Sequence, residues 1–285
     1  MQDDIARQDA ARAAQRFANR PWTSVDRAAF PDAAAVPTML APEEQQFYLW
    51  ASRDWARGDG AIVDLGAFVG GSTAWLAAGA AAAGHAAQVF AYDKFAADEA
   101  TKTTQLYARG VPAFAGNDTR PLAERLLAPW RDRITFCQGE IERIGWAGGD
   151  IDILAVDAFK KVGLTDRMVA AFFPALVPGR SLIVQQDFLH WSQPWLAALM
   201  LRLGDAVHPL AYVPGDSVVY LVTAEMTAER LQRAALAGIS DAELFEAVAE
   251  TRDRMANWPI AGRFDRMQDG IRRNPGVRVA WQMKR

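Results

Sequence analysis

Short apolar runs and helical stretches alternate along most of the chain. From Ala61 the sequence reads AIVDLG, STAWLAAGAAAAG, QVFAYD, a helical stretch from about Ala97 to Arg109, ITFCQG, IDILAVD and SLIVQQD. A helix beginning near Thr165 and carrying Met168, Val169, Phe172 and Phe173 separates the last two runs. None of the runs alternates apolar with polar residues, which is how strands buried on both faces read, and strands separated by helices imply parallel βαβ units. After SLIVQQD comes a helix opened by Ser192 and Pro194, then AVHPLAYV and SVVYLVTA joined by a Pro-Gly-Asp segment. So short a link forces an antiparallel pair, because a parallel crossover needs a dozen or more residues. The pattern predicts a doubly wound α/β sheet of seven strands, five parallel and closed by a terminal antiparallel hairpin.

The flanks read differently. Residues 1–58 combine an Ala-rich helical stretch, a segment punctuated by Pro21, Pro31 and Pro37, and a helix after Pro42 with Phe47, Trp50, Ala51 and Trp55 at helical spacing. They are expected to form an N-terminal arm or lid, and residues 59–225 the sheet domain. Residues 226–285 form a C-terminal helical appendage in this reading, where Ser240 to Glu243 matches a capping box and the stretch after Pro259 is basic and irregular. The helix from Ser240 suits either a cap over a substrate pocket or a homodimer contact.

A chain of 285 residues with 51% hydrophobic composition can bury a full core. The net charge of −3, with basic residues scattered, marks no nucleic-acid groove. The lone Cys137 excludes a disulfide framework and Cys-rich zinc sites and fits a reducing cytoplasm. Neither a secretion signal nor a membrane span is expected, since the N-terminus has no apolar core region and no long apolar run occurs.

Ligands of doubly wound sheets bind outside the carboxyl ends of the strands. Acids stand at or beside five such ends: Asp64, Asp93, Glu140, Asp157 and Asp187. The turn after the first strand, Gly66-Ala67-Phe68-Val69-Gly70-Gly71-Ser72, lets a ligand approach the backbone, and free amides open the following helix. It is neither G-x-G-x-x-G nor a P-loop. Asp93, 27 residues after Gly66, stands where an acid accepts hydrogen bonds from both ribose hydroxyls of a nucleoside. A turn required only by packing is the plain alternative.

VDLGAFVGGST followed by AYDKF resembles the first motif and the ribose-binding acid of class I S-adenosylmethionine-dependent methyltransferases. Asp64 to Ser72, Asp157, and Val177-Pro178-Gly179 before SLIVQQDF resemble the macrocin O-methyltransferase-like branch, over residues 38 to 224. By that resemblance Gly66, Gly70 and Gly71 line the methionine part of the cofactor and Asp93 holds the ribose. Asp64 belongs to the same motif, Gly139 and Glu140 border the adenine, and Ser72 donates to the cofactor carboxylate. The branch places a divalent cation on the acid ending strand four and an Asp pair ending strand five, so Mg²⁺ on Asp157, Gln186 and Asp187 is a further expectation. Gln186 departs from the pattern, since it replaces one carboxylate by an amide.

Methyl transfer to a hydroxyl requires alignment of the acceptor and removal of its proton. Asp157, Asp187 and His190 are the catalytic candidates, with His190 the imidazole best placed as a general base. Lys160 and Lys161 read as a solvated pair, although a lysine there could neutralise the carboxylates. Trp191 and Trp195 read as core or interface residues and Cys137 as buried filler. The resemblance implies a small-molecule acceptor such as a sugar or natural-product intermediate. Two rivals stay open: a methyltransferase-like binding module without catalysis, and a nicotinamide oxidoreductase, which lacks here its Tyr-x-x-x-Lys.

Overall fold

The computed structural model describes residues 2–285, with side chains from Gln8 onward. In chain order its helices are α1 (Gln2–Phe17), α2 (Pro31–Ala34), α3 (Pro42–Trp50), α4 (Gly71–Ala83), α5 (Glu99–Gln105), α6 (Arg120–Leu126), α7 (Ile141–Ile144), α8 (Val162–Phe172), α9 (Trp195–Leu203), α10 (Ala228–Ala234), α11 (Asp241–Arg254) and α12 (Ala261–Arg273). The strands are β1 (Ala61–Leu65), β2 (Val89–Asp93), β3 (Ile134–Gln138), β4 (Ile151–Val156), β5 (Leu182–Gln185), β6 (Val207–Val213) and β7 (Ser217–Val222). They form a seven-stranded sheet in the order β3-β2-β1-β4-β5-β7-β6, which is the doubly wound α/β arrangement that the apolar runs predict. By its contacts the chain divides into two compact bodies, residues 19–155 and residues 1–18 with 156–285.

In the first body β1 pairs in parallel with β2, and β2 with β3, in a register that sets Leu65 against Tyr92 and Tyr92 against Cys137. Ile62, Val63, Leu65 and every residue of β4 are buried. Burial on both faces removes the reason for a polar alternate, and each large aliphatic side chain so placed contributes about 1.5–3 kcal/mol. The helix α4 follows β1 directly and is buried from Gly71 to Ala80. Its Gly79 is a contact point. A Cβ there would lie 2.1 Å from Ser52 Oγ and 2.3 Å from the Leu49 carbonyl oxygen, so only glycine allows α3 and its π-helical extension Ala51–Trp55 to approach α4 this closely.

The Pro-punctuated segment is packed rather than loose. Trp22 is fully buried, edge-on to Phe47 at 5.2 Å and beside Trp50 at 5.9 Å, and its indole N–H donates to Glu43 Oε1 at 2.8 Å.

In the second body β7 lies between β5 and β6 and is antiparallel to both, so the short link at 214–216 does make a hairpin. The expected capping box at α11 is present: Ser240 Oγ accepts from the Glu243 amide, and the Glu243 carboxylate accepts from the Ser240 amide. Leu244 and Val248 of α11 are buried against this chain's own α9 and α12. The stretch after Pro259 is not irregular. It forms α12, because Phe264, Met267, Gln268 and Ile271 recur at helical spacing and are buried, a period hidden in the sequence by the intervening Asp265, Arg266 and Asp269. Beyond α12, the Val162 and Ala280 amides donate to the Arg278 and Lys160 carbonyls, so the C-terminal segment is held along residues 160–162. Among the described residues no helix is long and apolar enough to cross a membrane.

Candidate functional site

The turn between β1 and α4 is built from backbone that side chains rarely adopt. Gly66, Phe68 and Gly70 have φ of 101°, 52° and 97°. Phe68 is the costly member, since an L-residue in the left-handed region loses about 1–2 kcal/mol. Hydrogen bonds hold it there. The Gly66 and Ala67 amides donate to the Tyr92 carbonyl at 2.9 and 3.0 Å, and the Phe68 amide donates to Asp93 Oδ2 at 2.9 Å. The Phe68 ring packs on Val69, Leu106 and Leu122.

Asp93 ends β2 half-buried and also accepts from the Phe95 amide, through Oδ1 at 2.7 Å. The Phe68, Phe95 and Lys94 amides bear on this carboxylate, whose two oxygens offer about four acceptor directions and so keep capacity for a ligand hydroxyl. Burial pushes its carboxyl above the ordinary aspartate value, against the opposing pull of the Phe68 and Phe95 amides and of Lys94. Gly139, with φ of 140°, donates to the Asp93 carbonyl at 2.9 Å, and Glu140 is paired with Lys94 at 3.0 Å.

Asp64 and Ser72 are engaged with each other. The Asp64 carboxylate is buried in β1 and accepts from Ser72 Oγ at 2.7 Å and Thr73 Oγ1 at 2.5 Å. Burial raises its pKa to about 6, in spite of the Thr73 and Ser72 hydrogen bonds. The Ser72 hydroxyl expected on a cofactor carboxylate is thus donated to Asp64, and the pair fastens the start of α4 to β1. Gly70 and Gly71 also face their own chain: a Cβ on Gly70 would lie 2.5 Å from the Leu127 side chain, and one on Gly71 2.7 Å from the Pro37 carbonyl oxygen.

The second body gathers Asp157, Gln186, Asp187 and His190. Lys160 decides their arrangement: its Nζ donates to both Asp157 Oδ1 and Asp187 Oδ2. The three side chains are largely out of solvent, with exposures of 30% for Lys160, 19% for Asp157 and 24% for Asp187. Gln193 Nε2 donates to Asp187 Oδ2 at 2.6 Å and Gln186 Nε2 approaches Asp157 Oδ2 at 3.5 Å. Burial opposes the Lys160 charge, but the two carboxylates outweigh it and hold the ammonium above the ordinary lysine range. Burial likewise opposes the Asp187 carboxylate, which Lys160, Gln193 and His190 pull below the usual value.

The residues expected as Mg²⁺ ligands are engaged with protein partners in this structure. Lys160 stands where Asp157 and Asp187 would share an ion, and the Gln186 and Gln193 amides present donors, whereas a hard cation needs oxygen acceptors. Among the described residues no group of three or more His, Cys, Asp or Glu is placed to hold a metal. Lys160 is not a solvated lysine but neutralises the carboxylates, the alternative the sequence also allowed, while Lys161 is exposed as expected.

His190 Nδ1 lies 2.8 Å from Ser192 Oγ, and the His190 amide donates to the Asp187 carbonyl at 3.0 Å. Trp195 is a core residue: it is fully buried, and its Nε1 donates to the Phe159 carbonyl at 2.8 Å, pinning the loop that carries Asp157 and Lys160. Phe68, Thr73 and Gln193 are the site residues that sequence reasoning missed, and Lys160 is the one it named only as an alternative. Only Lys160 left a signal, a lysine three residues after a strand-ending acid.

No family model matches the chain, and no curated protein does. Solved structures resemble it distantly. An SAH-bound methyltransferase from Podospora anserina is 14% identical with a TM-score of 0.45, over 75% of this chain and 87% of that one. An O-methyltransferase from Bacillus cereus in complex with SAH is 15% identical with a TM-score of 0.42, over 67% and 86%. A calicheamicin methyltransferase is 14% identical with a TM-score of 0.42, over 74% and 91%.

Proposed function

We propose that the chain is an S-adenosylmethionine-dependent methyltransferase that methylates a hydroxyl on a small molecule, a sugar or natural-product intermediate being the acceptor class implied by the sequence resemblance. The observation that carries this reading is Asp93, whose carboxylate is tied by the Phe68 amide to a left-handed glycine turn and retains acceptor capacity for a ligand. Those features suit a nucleoside: vicinal ribose hydroxyls on Asp93, and a polar chain laid along the backbone of Gly66 to Phe68. Gly139 and Glu140 would border the base. When bound, S-adenosylmethionine supplies an electrophilic methyl group on sulfur.

What the protein adds is alignment and proton removal. In the tautomer with its proton on Nδ1, shared with Ser192 Oγ, His190 carries a lone pair on Nε2 that would take a hydroxyl proton. Asp187 is a hydrogen-bond acceptor in this scheme rather than a base, because Lys160 and Gln193 stabilise its ionised form. Lys160 remains an ammonium.

Calorimetric titration of the full chain with S-adenosylhomocysteine and, separately, with NADP tests the reading. Saturable binding of the first and none of the second is expected. Binding of the dinucleotide alone would reject methyl transfer in favour of hydride chemistry.

A further inference from the structure

We propose that Lys160 is a resident cation: it occupies a carboxylate pair of the kind that binds divalent ions and closes that pair to them. Asp157 follows β4, Asp187 follows β5, and Lys160 Nζ contacts an oxygen of each. Two carboxylates sharing a largely buried pocket cannot both stay ionised without a positive charge, and the ammonium supplies it from within the chain.

The lysine is held in place by its own backbone. Its amide donates to the Ala158 carbonyl at 2.8 Å, its carbonyl accepts from the Ala280 amide at 2.9 Å, and the preceding Phe159 carbonyl accepts from buried Trp195 at 2.8 Å. These contacts fix the stem of the side chain, and the two carboxylates hold its ammonium. The surroundings match the ammonium too. Gln193 donates to Asp187 and Gln186 to Asp157, so lone pairs that would face a metal face N–H groups. A third carboxylate, Asp216, lies within electrostatic reach of Asp187, but Arg263 is paired with it, and His190 brings no negative charge. A divalent ion entering here would have to displace Lys160 or sit against a like charge in a poorly solvated pocket.

Removing the ammonium should therefore create a metal site. Mn²⁺ binding to the full chain, followed by loss of the free-ion electron paramagnetic resonance signal, measures this without any nucleoside, so its outcome is separate from that of the methyl-transfer reading. Wild type is expected to show no saturable binding that depends on Asp157 or Asp187. Lys160→Met, which keeps the length of the stem and removes the charge, is expected to bind Mn²⁺ at least about tenfold more tightly, and adding Asp187→Asn should reverse the gain. Lys160→Arg should remain closed. Saturable wild-type binding that Asp187→Asn abolishes would overturn the proposal, as would a folded Lys160→Met protein with no gain. Should Lys160→Met fail to fold, Lys160→Gln takes its place, and the wild-type and Asp187→Asn titrations still decide between a closed and an open pair.

Discussion

The amide of Phe68 donates to the carboxylate of Asp93 at 2.9 Å, joining a left-handed turn after β1 to the end of β2. One carboxylate thus fixes the turn and retains acceptor capacity for a ligand. Asp93→Ala removes both functions and is expected to weaken S-adenosylhomocysteine binding about 100-fold or more, with Asp93→Asn intermediate because an amide keeps one acceptor oxygen. Calorimetry on folded variants checks it, and unaltered affinity in Asp93→Ala would remove the ribose role.

Asp64 makes stability depend on pH in an unusual direction. Its folded pKa of about 6 lies above the unfolded value of 3.8, so the folded state holds the extra proton between them. The associated stability is fully present below about pH 4 and is lost as the pH rises through about 6, an effect on the order of 3 kcal/mol. Asp64→Asn abolishes this contribution. Urea unfolding of both proteins at pH 4.5 and 7.5 should show the wild type losing stability relative to the variant at the higher pH. An equal difference at both values contradicts the assignment.

The order of strands, the hairpin and the acids at the strand ends were legible because each leaves a one-dimensional trace: unbroken apolar runs, a link too short for a crossover, and a charge just after each run. α12 was not, since its five buried positions are diluted among charged residues that suggest solvent. Nor was the use of Ser72, Thr73 and Lys160. The sequence places hydroxyls one turn into a helix and a lysine near an acid, but whether they serve a ligand or a neighbour depends on which carboxylate comes within about 3 Å, a tertiary fact. Gly70 and Gly71 show the same limit, as the residues that exclude a side chain there, Leu127 and Pro37, are distant in sequence.

Gly79→Ala is expected to destabilise the protein by about 1–3 kcal/mol or more, although alanine is the better helix former by about 1 kcal/mol. The added methyl meets the Leu49 carbonyl oxygen at 2.3 Å, a backbone atom that gives way only if α3 moves. A denaturant midpoint lowered at unchanged slope would record the loss, and a rise in stability would show that the close approach is not needed.

Asp187→Asn separates catalysis from cofactor binding. It removes a negative charge from the Lys160 bridge while keeping an oxygen for Gln193, and Asp187 lies in the second body, whereas Asp93 and the glycine turn belong to the first. Turnover is expected to fall by about 10²-fold or more with S-adenosylhomocysteine affinity within about twofold of wild type. Parallel rate and binding measurements test this, and full activity in the variant would withdraw Asp187 from the site.

Trp195→Phe isolates one hydrogen bond in the core. The indole N–H satisfies the Phe159 carbonyl at 2.8 Å, in a place where the ring is fully buried. Phenylalanine fills much of the same volume but leaves that carbonyl without this donor, at a cost of about 1–3 kcal/mol. The lost bond precedes Lys160 by one residue, so the loop that stations the ammonium should loosen as well. Hydrogen exchange at the Lys160 and Val162 amides, which donate to the Ala158 and Arg278 carbonyls, is expected to quicken more than exchange in the first-body strand β2. A uniform change across both bodies would mean that the indole contributes only general packing, and unchanged exchange at Lys160 would show that the loop is held by the Ala280 contact alone.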